Sequence, residues 1–404
     1  MEPQTFFLTL LAILLSARLL GEIAARLGAP AVIGELLAGV LIGPSVFGWV
    51  EPSNVIRLLA QIGIILLLFE VGLETDVIRL VRTGTKPLLV AATGAAVPFA
   101  LGYGASRFLF GQGTLTALFV GGTLTATSIG ITVRVLADLG RNRSAEARIV
   151  LGAAVLDAIV GVVLLALLYE FSSGGGINLA NTGRVALFIA LFMALAPFAA
   201  KLIAEQIERL SRTSQIPGLL PTTVVSLVLF FAWLAHVVGA PELLGGFAAG
   251  LALSRSFYLP RPMTIKTDAG FSRHIDDELR PIVHLFTPIF FVSVGLMLNF
   301  RTIDWGSVFI WAFSGSLLLL ALIGKIASGF AVPGENLQRR FVIGLAMVPR
   351  GEVGLIFAQL GLSSGIFDDA TYAAMVIVIA GTTLLPPFVM KWYYRRSQLS
   401  LAEG

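Results

Sequence analysis

The chain is 404 residues long, 56% hydrophobic and only 13% charged, with a formal net charge of +4 and a mean hydropathy of +0.90. Soluble globular proteins carry about 25% charged residues, so that class is excluded, and long unbroken apolar runs point to spanning helices, not to a membrane β-barrel. Without any Cys, disulfides, thiolate metal sites and cysteine nucleophiles are ruled out, and three His without metal spacing argue against zinc.

A helix needs about 20 residues to cross the roughly 30 Å hydrocarbon layer. Divided at polar and Gly/Pro breaks, the sequence predicts thirteen spans: 5–27, 30–47, 54–73, 87–109, 115–136, 145–171, 184–207, 219–238, 241–254, 281–298, 305–332, 341–362 and 370–392. The first lacks the basic segment and small-residue cleavage site of a signal peptide, so it is predicted as a retained helix. Twenty-one of the 28 Lys and Arg gather on one side, among them Arg79, Arg82, Arg134, Lys201, Arg255, Arg261 and Lys266, against four on the other and three inside spans. Basic residues accumulate in cytoplasmic loops, which predicts an outside N-terminus and a cytoplasmic C-terminus. The positive charge therefore reports topology, and no nucleic-acid partner is implied.

GAPAVIGELLAGVLIG (28–43) aligns without gaps to GAPELLGGFAAGLALS (239–254), matching Gly34 with Gly245 and Gly39 with Gly250. One span later Val71-Gly72-Leu73 aligns with Val294-Gly295-Leu296. Seven spans separate the members of each pair, and an odd number reverses the direction of travel. Such inverted repeats are a signature of secondary transporters, whose site lies near the midplane. Chance similarity between small-residue-rich helices is the alternative.

Under this repeat the fifth span pairs with the twelfth, and both have centres hostile to a helix. TLTATSIGIT (123–132) replaces the aliphatic pattern with β-branched and hydroxyl residues, and MVPRGEVG (347–354) sets Pro, Arg, Gly and Glu in succession. Pro349 removes a backbone donor and Gly351 lowers helix propensity, so both centres are predicted to unwind. Unwound backbone at membrane depth is tolerated only inside protein or along a watery cavity, where freed carbonyls can receive a cation.

Charges inside spans are costly, by about 2.5 to 3.5 kcal/mol each on insertion scales, and are candidates for function. Asp157, in AAVLDAIVG (153–161), is the foremost: a carboxylate that can hold either a proton or a hard cation. Its alternative is a permanent ion pair with Lys325 or Arg350. Arg350 is read as structural because guanidinium does not deprotonate, with Glu352 as its possible partner. Glu70 either reaches the cavity or pairs structurally. Glu35 and Glu242 are read as structural, His236 and His284 as hydrogen-bonded packing residues, and Arg18 as snorkelling or paired with Glu22.

These segments together resemble the Kef-type monovalent cation/proton antiporters of the sodium/hydrogen exchanger superfamily. The resemblance rests on PAVIGELLAGVLIGPS (30–45), LLFEVGLETD (67–76), TATSIGITVRVLADLG (125–140), AVLDAIVG around Asp157, LLGGFAAGLALS (243–254), PIFFVSVGLML (288–298), Lys325 and MVPRGEVGLIFAQLG (347–361). It implies an all-α polytopic membrane protein of about thirteen transmembrane helices, two inverted-topology repeats with crossed broken helices, acting as a homodimer in the lipid bilayer of a prokaryotic inner membrane. It implies dimerisation-domain helices in 1–80 and 217–300, core-domain helices in 81–180 and 301–396, a linking helix in 181–216 and a tail at 397–404, the core moving as an elevator. Asp157 matches the family's cation- and proton-binding aspartate. Thr125, Thr127 and Ser128 fall on the first unwound stretch as cation ligands, and Lys325, Arg350, Glu352 and Glu70 as charge-balancing groups. Na⁺ or K⁺ and H⁺ would be transported, with no cofactor and no enzymatic chemistry.

Many electrogenic relatives carry two adjacent acids where this chain has Leu156 and Asp157, so the usual carboxylate partner of the intramembrane lysine is expected to be missing. A single carboxylate favours electroneutral exchange. A sodium-coupled organic-anion symporter and a gated K⁺ efflux channel are the rival readings.

Overall fold

The computed structural model describes residues 3–27, 29–74, 84–172, 179–213, 216–254 and 269–396. Among them are fifteen α-helices and no strand. They are α1 (Pro3–Arg26), α2 (Ala31–Ile42), α3 (Asn54–Glu74), α4 (Lys86–Gly104), α5 (Thr114–Thr125), α6 (Ile129–Asp138), α7 (Ala145–Ser172), α8 (Leu179–Thr213), α9 (Leu219–Val237), α10 (Glu242–Leu253), α11 (Ala269–Met297), α12 (Val308–Phe330), α13 (Leu337–Ala346), α14 (Glu352–Ser363) and α15 (Asp369–Arg396). Eight helical segments are long and apolar enough to cross a membrane. Each predicted span coincides with one helix, except that the fifth is the pair α5 and α6 and the twelfth the pair α13 and α14.

The tenth span begins earlier than hydropathy places it. α11 starts at Ala269 and runs through Pro281 and Pro288, because the polar stretch Arg273 to Arg280 is helical without being apolar. There Ile275, Leu279 and Val283 recur every four residues as a buried stripe, while Arg280 pairs with Asp276 one turn back at 2.7 Å. Lys201, counted on the basic side, is buried within α8 and inside the predicted span 184–207. Arg79, Arg82, Arg255, Arg261 and Lys266 lie outside the described residues.

Contacts divide the chain into two compact units. The first comprises residues 1–53, 85–178 and 291–404, the second 54–84 and 179–290. In the second, α3 crosses α10 at glycines. A Cβ on Gly250 would lie 2.8 Å from the Leu73 amide nitrogen, and one on Gly72 would lie 2.9 Å from that of Leu251. In the first, α2 meets the end of α11 in the same way: a Cβ on Gly39 would lie 2.8 Å from the Gly295 Cα, and one on Gly295 would lie 2.9 Å from the Gly39 Cα. The glycines aligned in the sequence thus occupy matching crossings in the two units. Small residues let helix backbones approach where dispersion, not hydrophobic burial, drives association. Gly250→Ala is expected to lose about 1 to 3 kcal/mol by overpacking against immovable backbone, read as a lowered unfolding midpoint in detergent.

At one end of the first unit a polar network ties four segments. Lys86 at the start of α4 pairs with Glu335 at 2.6 Å, Glu335 with Arg339 of α13 at 2.9 Å, and Arg339 approaches Glu146 of α7 to 3.6 Å. Tyr394 of α15 donates to buried Glu146 at 2.9 Å, with the Arg141 guanidinium over its ring at 4.9 Å.

Candidate functional site

Two interrupted helices of the first unit meet at their breaks. α5 stops at Thr125 because its hydroxyl residues bond the helix's own carbonyls: Thr123 donates to Phe119 O at 2.8 Å and Thr125 to Gly121 O at 3.0 Å. Such bonds offer the backbone an alternative to the helical ladder. Ala126 and Ser128 are extended, and α6 restarts at Ile129. Opposite, α13 ends at Ala346, Pro349 has no amide to donate, and Gly351, with φ −135° and ψ −121° outside the helical region, precedes α14.

Freed backbone groups of one break are satisfied by the other. The Ser128 amide donates to Pro349 O at 2.9 Å, the Thr127 hydroxyl to Met347 O at 3.1 Å, and the Thr132 hydroxyl to Ala346 O at 2.9 Å. A Cβ on Gly351 would come within 3.0 Å of Ser128 Oγ, so the absent side chain lets that hydroxyl pack against the second break. Half-helix dipoles converge here, with the negative C-termini of α5 and α13 and the positive N-termini of α6 and α14.

Arg350 is wholly buried at this crossing and supplies the opposing charge. Its guanidinium donates to Leu124 O in the last turn of α5 and to Val348 O just past α13 at 3.2 Å, while Thr383 of α15 donates to the Arg350 carbonyl. Glu352 begins α14, but its side chain lies outside those described.

Asp157 of α7 and Lys325 of α12 are both fully buried, with Lys325 Nζ donating to Asp157 Oδ2 at 2.9 Å. The lysine's carboxylate partner, expected to be missing because position 156 is Leu, is therefore Asp157 itself. Among the described residues, Asp157 Oδ1 finds no hydrogen-bond partner. Arg350 stands within electrostatic reach of both, so one carboxylate faces two cations.

Thr125 and Thr127 turn their hydroxyl protons to carbonyls, Thr125 toward Ala95 O as well, at 3.3 Å. Each hydroxyl oxygen keeps lone pairs for a cation. Glu70 is half-buried on α3, in the second unit. His236 is exposed, not packed, and its Nδ1 lies 2.8 Å from Glu242 Oε1.

Three contributors were not read from the sequence. Thr383 and Thr132 are uncharged hydroxyls in apolar helices, and Gly94 of α4 leaves room for the lysine: a Cβ there would lie 3.6 Å from Lys325 Nζ. Thr132 lay inside the segment 123–132 already read as a break, and the signal for Thr383 was a hydroxyl pair, Thr382 and Thr383, ahead of two prolines in the last span.

Comparison with known proteins agrees with this architecture. The family model for the transmembrane sodium/hydrogen exchanger matches residues 10–395. The Na⁺/H⁺-K⁺ antiporter GerN of Bacillus cereus is 35% identical over 394 residues, covering 96% of each chain. The high-affinity Na⁺/H⁺ antiporter NhaS3 of Synechocystis sp. is 34% identical, covering 94% of this chain and 88% of its own. The solved structure of the sodium proton antiporter MjNhaP1 from Methanocaldococcus jannaschii at pH 8 shares the fold with a TM-score of 0.71 at 16% identity, covering 97% of this chain and all of that one. A family match across nearly the whole chain and two relatives above 30% identity lead to one conclusion: the protein belongs to the sodium/hydrogen exchanger family.

Proposed function

We propose that the protein exchanges a monovalent cation, Na⁺ or K⁺, for H⁺ across a prokaryotic inner membrane by elevator-type alternating access, as a Kef-type homodimer with a cytoplasmic C-terminus. The observation that carries this reading is the buried Asp157–Lys325 pair at 2.9 Å with Asp157 Oδ1 left without a hydrogen bond. Oδ1, the oxygens of Thr125, Thr127 and Ser128, and the carbonyls of the crossing provide the hard oxygen ligands such a cation needs. Relatives named as antiporters, one for Na⁺ and one for Na⁺ and K⁺, support the same class. They give no support to a symporter or a channel.

The ion pair also suggests the charge balance. With no cation bound, Asp157 is negative and Lys325 carries a proton. A cation arriving at Asp157 removes the lysine's counter-ion, and Lys, unlike Arg, can answer by giving up its proton. Asp157 with a cation and neutral Lys325 then has the same total charge as Asp157 with protonated Lys325, so one cation exchanges for one proton and no net charge crosses. Arg350 keeps its charge throughout and holds the crossing.

Proteoliposomes decide both parts. Cation-dependent proton flux, measured with Na⁺, K⁺ and Li⁺ separately, is expected for at least one cation; none for any would refute exchange. Under a clamped potential of about 100 mV, worth about 2.3 kcal/mol per net charge moved, the rate is expected not to respond. A steady current would mean that Asp157 also titrates and that two protons move per cation.

A further inference from the structure

A second group of charges, built around buried Glu35 with Arg134 and Asp138 partly accessible, lies in the first unit. α2 begins after Pro30, which provides no side-chain cap, so its first amides lack partners within the helix. Asp138, the last residue of α6, supplies the cap from 106 positions away: its Oδ2 accepts from the Val32 amide at 3.3 Å. Arg134, one turn earlier on α6, puts Nε 3.2 Å from Asp138 Oδ1 and reaches Glu35 Oε1 of α2 at 3.7 Å. Glu35 is 2% exposed, and its Oε2 finds no hydrogen-bond partner among the described residues.

Three charged groups among the described residues act on Glu35. α1 contributes Arg18 and α6 contributes Arg134 and Asp138, while Lys391 of α15 acts on Asp138. Glu22 of α1 accepts from Arg26 at 2.8 Å on the exposed side of that helix. α2 itself carries no other charge. Arg134 is shared with Asp138, which also holds the α2 amides, so only part of its attraction is left for Glu35. An ionised buried carboxylate with one shared ion contact and an unbonded oxygen is poorly compensated, and adding a proton turns that oxygen into a donor.

We propose that Glu35 is a second proton-binding site whose occupancy sets how firmly α6 is held to α2: the Glu35–Arg134–Asp138 latch is closed when Glu35 is ionised and loosened when it is protonated. The consequence reaches the crossing because α6 is the half-helix that follows Ser128 and whose Thr132 bonds Ala346 O. A proton at Glu35 thereby changes the freedom of the break without touching Asp157. The transport consequence rests on the exchange reading above; the latch itself does not.

The test uses the full-length protein and Glu35→Gln, which keeps shape and hydrogen bonding but stays neutral at every pH. Deuterium exchange of the 129–138 amides, corrected for intrinsic rates, is expected to show protection that rises with pH in the unmodified protein and stays low in Glu35→Gln. Cation-dependent proton flux in proteoliposomes is expected to be equal in the two at acid pH and to favour the variant at alkaline pH by on the order of fivefold, the low end of coupled-site effects. Arg134→Gln breaks the same latch from α6 and is expected to flatten the protection profile likewise. Protection that rises with pH in either folded variant as it does in the unmodified protein would overturn the latch. Failure of the unmodified protein to exchange any cation would refute the transport reading while the amide measurement still decides the latch.

Discussion

Asp157→Asn is expected to reduce cation-dependent proton flux to that of liposomes without protein. An amide can occupy the same volume and accept from Lys325, but it has no charge to hold a cation and no role in the exchange of one charge for another. The stability consequence follows from the observed pair. Both side chains are fully buried and 2.9 Å apart, so removing the carboxylate leaves Lys325 uncompensated, which costs about 3 to 5 kcal/mol where one member of a buried pair is deleted. The double variant Asp157→Asn with Lys325→Gln removes both charges. It is expected to recover much of the unfolding midpoint and none of the transport, since residues in contact are coupled and not additive. Normal flux through purified Asp157→Asn would sink the assignment of Asp157.

Arg350→Ala is expected to lower stability as well as transport. The guanidinium satisfies Leu124 O and Val348 O, carbonyls that two interrupted helices cannot satisfy for themselves. Stranding each buried acceptor costs about 1 to 3 kcal/mol, and the large fully buried side chain leaves a void as well. Lysine is a poor replacement, because a point charge lacks the planar fork that reaches two carbonyls at once. Thermal unfolding in detergent separates the two roles. A fall equivalent to about 3 to 5 kcal/mol agrees with the structural role; an unchanged midpoint with lost transport would move Arg350 into the exchange step itself.

Much of the architecture was legible because its causes are local. A run of apolar residues is long enough to span or it is not, and the thirteen runs each have their helix or helix pair. The breaks were legible for the same reason: hydroxyl and β-branched residues at 123–132 and Pro349 with Gly351 oppose a helix whatever surrounds them. Asp157, Lys325 and Arg350 stood out because a charge in an apolar run is expensive wherever it lies. Where local reasoning misjudged, as at the start of α11, a helix carried a polar face that hydropathy alone cannot tell from a loop.

Pairings were decided only by tertiary structure. Asp157 could have met Lys325 or Arg350; the approach of α12 to α7 gave it the lysine, 168 positions away, and left the arginine to carbonyls. Nothing near Glu35 in sequence announced that α6 would bring Arg134 and Asp138 to it, and nothing near Thr383 announced Arg350. The reason is geometric. Composition and propensity sum over neighbours along one chain segment, whereas a hydrogen bond or ion pair requires two helices to meet at one rotation and one depth, set here by glycines whose missing side chains admit another backbone.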